Sequence, residues 1–116
     1  MILMFNIGDT NENEGKYIGC YADDAHRDLS HGPMKYGYTQ ATCNAACQAY
    51  SYFALQNNGW CCCGNSYSTK PQYSKRPDSE CGGARGRGKG WRNSVYSTYP
   101  GTEGEFKNIL YVAFVK

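Results

Sequence analysis

Most of the chemistry open to this sequence resides in its seven cysteines. Five fall in two tight groups, Cys43-x-x-x-Cys47 and Cys61-Cys62-Cys63, while Cys20 and Cys81 stand apart. Disulfide staples, a thiolate metal site and reactive thiols compete for such sulfurs. The metal reading is weak. A tetrahedral zinc site takes closely spaced cysteine pairs matched by a second pair or by histidines. Cys43 and Cys47 fit that loosely, but adjacent residues such as Cys61, Cys62 and Cys63 rarely converge on one ion. His26 and His31 lie far from both groups in sequence. No metal and no cofactor is expected. Catalysis finds little support either, since no Ser/His/Asp or Cys/His constellation is recognisable. Asp23-Asp24 reads as a turn rather than an acid–base pair, and the chain is expected not to be an enzyme.

The elements that would position these sulfurs are readable. Thr39 is a candidate N-cap, and the alanine-rich QATCNAACQAY that follows reads as a helix. Cys43 and Cys47, four residues apart, then share one helix face. SYFALQ and WCCC flank Asn57-Asn58-Gly59, a strong signal for a β-hairpin. Strand alternation sends Cys61 and Cys63 to one side and Cys62 to the other. A late strand is expected over NSVYST at 93–98, and 64–92, rich in Gly, Ser and Pro, reads as irregular loop. The helical sulfurs stand about 5–6 Å apart and the strand sulfurs about 6.5–7 Å. Two such pairs can face each other; Cys43–Cys61 with Cys47–Cys63 is one register. Cys20 and Cys81 then remain to close a long loop, and Cys62 is odd.

Composition explains why staples are needed. Leu, Ile, Val and Phe together make only 15 of 116 residues, too few for an ordinary core, yet charged residues are only 19% and there are 11 tyrosines. A single small domain this poor in aliphatics needs covalent ties. The net charge of +2 does not by itself demand nucleic acid or an anionic membrane. No run approaches the roughly 18 apolar residues of a membrane span, and membrane insertion is not expected. The apolar MILMF start lacks the basic residues, length and cleavage site of a signal peptide; a secreted form is expected to have had its signal removed or replaced. A nucleotide-binding α/β enzyme, a helical bundle and a cytosolic globule with an ordinary core are all disfavoured.

Seven motifs follow one another in order: Tyr17-Ile18-Gly19-Cys20-Tyr21; Arg27-Asp28-Leu29; Tyr38-Thr39 leading into Cys43 and Cys47; Tyr52-Phe53-Ala54-Leu55-Gln56; Cys61-x-Cys63-Gly64-Asn65; Asp78-x-Glu80-Cys81; and Arg92-Asn93-Ser94-Val95-Tyr96. Over about residues 16–98 this order resembles the WSC domain. The resemblance implies a secreted, extracellular, disulfide-stapled module that binds carbohydrate. It implies the pairing Cys20–Cys81, Cys43–Cys61 and Cys47–Cys63. The family's usual eight cysteines are reduced here by the last pair, and Cys62 is an addition whose state the resemblance does not imply. The expected fold is α+β, a small disulfide-rich domain with one α-helix on a twisted antiparallel β-sheet. Around the domain at 16–98, an N-terminal strand and linker (1–15) and a C-terminal strand extension (99–116) are expected to add terminal β-strands.

Sugar recognition uses flat aromatic faces beside amides, carboxylates or guanidinium groups. Loop aromatics and polar residues supply the candidates Tyr36, Tyr38, Trp60, Asn65, Tyr67, Trp91 and Arg92, while Tyr52, Phe53 and Tyr96 are expected in the core. The Gly-interleaved run from Gly82 to Arg92 carries Arg85, Arg87, Lys89 and Arg92, which suit an acidic polysaccharide better than nucleic acid, and no nucleic-acid partner is expected. A second function is compatible with the sequence. MILMFNI and NILYVAFVK are the most apolar, β-prone stretches, and exposed strands of that kind add to other chains. Such a chain would be a self-assembling extracellular subunit, a homo-oligomer, with Cys62 either a free thiol or an intermolecular bridge.

Overall fold

A computed structural model describes residues 14–99 of the chain. The two terminal stretches expected to form added strands lie outside the described residues. Within them, six strands form one sheet: β1 (Lys16–Ala22), β2 (His31–Lys35), β3 (Tyr52–Gln56), β4 (Trp60–Gly64), β5 (Lys75–Arg76) and β6 (Arg92–Ser97). Their order across the sheet is β2-β4-β3-β6-β1-β5, and every pairing is antiparallel. One helix, α1 (Gln40–Ala46), connects β2 to β3, and a 3-10 turn spans Asp78–Cys81. This is the expected α+β class.

The sheet separates two apolar layers by alternation of side chains. Phe53, Leu55, Cys61, Cys63 and Tyr96 face the helix and meet its Cys43 and Cys47. Ala54, Cys62 and Val95 face the other way, with Tyr21 and Leu29. Tyr96, wholly buried, stacks on Phe53 at 4.8 Å between ring centroids, and its hydroxyl donates to the Gly86 carbonyl at 3.0 Å. Aromatic rings thus fill volume that aliphatics fill elsewhere.

The disulfides are Cys20–Cys81, Cys43–Cys61 and Cys47–Cys63. Two of them tie α1 and its C-cap Cys47 to β4, and the third ties β1 to the 3-10 turn. The Cys43, Cys47 and Cys61 sulfurs lie within 4.8 Å of one another, and all three are consumed by these bridges. Cys62 is the free thiol. It is 0% exposed, and burial pushes its pKa up to about 12. In the folded domain it lies in the helix-free apolar layer with Ala54 and Val95.

The helix is shorter than its sequence suggests. Thr39 caps it, accepting from the Thr42 amide at 3.2 Å while the Thr42 hydroxyl accepts from the Thr39 amide at 2.8 Å. Helical geometry stops at Ala46, and the Tyr50 amide turns back to the Cys47 carbonyl. The expected loop at 64–92 is not wholly irregular either, because β5 pairs with β1 and the 3-10 turn carries Cys81 to its partner.

Glu80 holds that turn to the sheet. Its carboxylate accepts from Arg76 Nε at 2.9 Å and from Arg92 Nε at 2.6 Å. Hydrogen bonds from Arg76 and Arg92 hold its pKa down at about 2. A depressed carboxylate pKa contributes stability at neutral pH that is lost as pH falls through the folded value. The thermal midpoint should therefore fall as pH drops from about 4.5 toward about 2. Glu80→Gln is expected to flatten that decline and lower the midpoint at pH 7. Equal slopes in both proteins would show that Glu80 is not the acid-sensitive tie.

Candidate functional site

Five strand termini meet at one end of the sheet. Ala22 lies opposite Arg92, Gln56 opposite both Asn93 and Trp60, and Lys35 opposite Cys61. The loops leaving these positions carry Asp23 and Arg27, Asn57 and Asn58, Trp91, and Tyr36. Sheet register alone therefore gathers residues that are far apart in the chain.

Arg27 is the keystone. Its guanidinium carbon lies 5.1 Å from the Trp60 ring centroid and 5.0 Å from that of Trp91, within the range of cation–π attraction. Its Nη1 donates to Gln56 Oε1 at 3.2 Å and to Asp23 Oδ2 at 3.5 Å. The Asp23 carboxylate, whose side chain is wholly buried, also accepts from Gln56 Nε2 at 2.7 Å and from the Asp28 amide at 2.8 Å. Gln56 Nε2 reaches Asn93 Oδ1 at 2.8 Å as well. A buried carboxylate with these partners is satisfied, and it fixes the cation between the two indoles.

Tyr36 extends the row. Its ring meets Trp60 edge-on at 5.1 Å, and its hydroxyl accepts from Asn57 Nδ2 at 2.6 Å. The order Tyr36, Trp60, Arg27, Trp91 thus forms a continuous strip of planar groups. Its two ends are Tyr36 and Trp91, which are 54% and 47% exposed and are the exposed large hydrophobics among the described residues. Backbone geometry is unusual at the same place. Arg27 and Trp91 sit at φ of 63° and 55°, a region costly for residues other than glycine. Such outliers persist where surroundings over-determine them, and they cluster at binding sites. The Trp91 carbonyl accepting from the Asp23 amide at 3.1 Å is part of what holds them.

Of the sequence candidates, Tyr36, Trp60 and Trp91 come together in this strip. Tyr38, Asn65 and Tyr67 lie elsewhere, and Arg92 adjoins the strip, its Nη1 donating to the Trp91 carbonyl at 2.9 Å. Tyr38 packs, half-buried, against the helix-side core. Asn65 accepts from the Ser51 amide at 2.9 Å. Tyr67 shares the helix-free face but meets Tyr21 and Tyr52 edge-on at 5.2 and 4.9 Å. Arg92 is engaged by Glu80. Arg27 and Gln56 are central to the site yet absent from the candidates; their only sequence signal is their place in the runs Arg27-Asp28-Leu29 and Tyr52 to Gln56.

Beside the strip, the loop following Cys81 packs on the β3–β4 turn. The Asn57 amide donates to the Lys89 carbonyl at 3.2 Å and the Asn58 amide to the Arg87 carbonyl at 3.1 Å. Glycine is required at 88: φ is +76°, and a Cβ would stand 2.2 Å from the Leu55 carbonyl oxygen. A cleft of about 470 Å³ lies between loop and turn.

No helix among the described residues is long and apolar enough to cross a membrane. The WSC domain family model matches residues 17–88. The matched span holds all three disulfides and Tyr36, Trp60 and Arg27, with Trp91 three residues beyond it. On this match, the chain belongs to the WSC domain family.

Proposed function

We propose that this protein is a non-catalytic, secreted module that binds extracellular polysaccharide along the strip Tyr36–Trp60–Arg27–Trp91. The observation that carries this reading is that the two most exposed large aromatics among the described residues cap a single row of planar groups held by Asp23 and Gln56. Aromatic faces suit the apolar C–H surfaces of pyranose rings, and the side-chain groups of Asn57, Tyr36 and Arg27 suit hydroxyls. A rigid row spends little conformational entropy when a flexible polymer settles on it. Membership of the WSC family supports carbohydrate as the ligand class, and disulfides at all six paired cysteines suit an oxidising exterior. The test is a glycan array probed with the oxidised chain. Polysaccharide binding that Trp60→Ala abolishes is expected; silence toward every neutral and acidic polymer would end the proposal.

A further inference from the structure

We infer that the cleft beside the aromatic strip selects polysaccharides carrying negative charge, uronate or sulfate, by presenting Arg87 and Lys89 to a chain lying on the strip. This inference rests on the polysaccharide reading and adds the class of polymer.

Four of the five arginines are already paired: Arg27 with Asp23, Arg76 and Arg92 with Glu80, and Arg85 with Glu14. Among the described residues, Arg87 has no acidic partner and Lys89 has none. Both are exposed and both line the cleft, whose lining includes neither Asp nor Glu. Arg87 also lines the neighbouring cavity that holds Glu14, but that carboxylate is paired with Arg85.

The backbone that bears them is fixed. Arg87 and Lys89 give their carbonyls to the Asn58 and Asn57 amides, and the Gly88 amide donates to the Cys81 carbonyl at 3.1 Å. Gly86 and Gly88 come so close to the Cys81 and Leu55 carbonyls that a side chain at either would clash. The alternation of glycine with Arg87 and Lys89 is thus what close packing of this loop demands, and it places two cations at set positions. Asn57 joins the two regions, since it lines the cleft and donates to the Tyr36 hydroxyl. A polymer leaving the strip at Tyr36 meets the cleft next. Of the basic residues suggested by sequence, Arg85 and Arg92 are ion-paired and do not line this cleft.

The experiment compares matched polymers: β-glucan against carboxymethylated β-glucan, and dextran against dextran sulfate, by affinity electrophoresis or calorimetry. The charged member of each pair is expected to bind about tenfold tighter at low salt. By the counterion-release rule for linear polyanions, two contacts should lose roughly tenfold between 50 and 200 mM salt. The double variant Arg87→Gln/Lys89→Gln is expected to lose the preference and the salt dependence while keeping its affinity for neutral glucan within about twofold. Because both side chains are exposed, circular dichroism should show unchanged folding. Neutral and charged polymers binding alike would overturn the inference and leave the polysaccharide reading standing. A double variant with undiminished preference, or single-stranded DNA bound as tightly as the charged glycans, would also overturn it. No polymer bound at all would remove both.

Discussion

Replacing Cys20 and Cys81 together by alanine is expected to cost the domain about 4 kcal/mol of stability by the loop-entropy rule. The bridge joins residues separated by 61 positions, against 18 and 16 for the others. Longer closed loops remove more entropy from the unfolded chain, and the same rule gives about 3 kcal/mol for each shorter one. Both sulfurs are fully buried, so the substitution also leaves poorly filled space. The effect is large relative to the roughly 5–15 kcal/mol that holds a typical domain folded. A domain of this size should lose roughly 15–30 °C in its thermal midpoint. The core makes compensation hard, since the fully buried aliphatics among the described residues are Leu29, Leu55, Val95 and the small Ala54. Thermal melts of oxidised wild type and double variant measure the difference. A loss below about 1 kcal/mol would mean that packing, and not the covalent tie, carries the fold.

The second large effect concerns binding without stability. Trp91→Ala should weaken polysaccharide affinity by about 10- to 100-fold, the cost of truncating an aromatic hot spot. Stability should move little. Trp91 is nearly half exposed, and alanine inherits the same left-handed φ, so backbone strain is unchanged. Its contact with Arg27 is lost, but Arg27 keeps Trp60, Asp23 and Gln56. Trp60→Ala is different. Trp60 is half-buried against the helix-free apolar layer, so that variant should lose stability as well as affinity. Titrations paired with thermal melts separate the two cases. Full affinity in Trp91→Ala would take this end of the strip out of the binding site.

The parts of the structure visible in the sequence are those set by short-range periodicity. Cys43 and Cys47 one turn apart, and Cys61 and Cys63 on one strand face, already made facing pairs, and the resemblance implied the same pairing. The Asn57-Asn58-Gly59 turn was legible because both asparagines tolerate the positive φ they adopt, 48° and 64°. Long-range pairing was not visible. The strands β1 and β2 gain their identity from partners distant in sequence, and β2 contains Gly32, Pro33 and positive-φ Met34, which give no strand signal. As an edge strand it can accommodate the proline. The site was half legible for the same reason. Residue type selects aromatics and amides, but only the register of five strand ends decides that Trp60 and Trp91 flank one arginine. Tyr38, Asn65 and Arg92 have the right chemistry and are occupied by the helix-side core, Ser51 and Glu80.

What would link the fold to the proposed function is the row of planar groups anchored on Arg27. Its most direct test is a nuclear magnetic resonance titration of the full oxidised chain with a bound polysaccharide fragment. Saturable shifts are expected at the indole N–H signals of Trp60 and Trp91, the Arg27 Nε–H and the Asn57 side-chain amide, with little change at the Tyr96 amide under the helix. Saturable binding whose shifts map to the helix face or to Asn65 and Tyr67, with both indoles silent, would contradict the account.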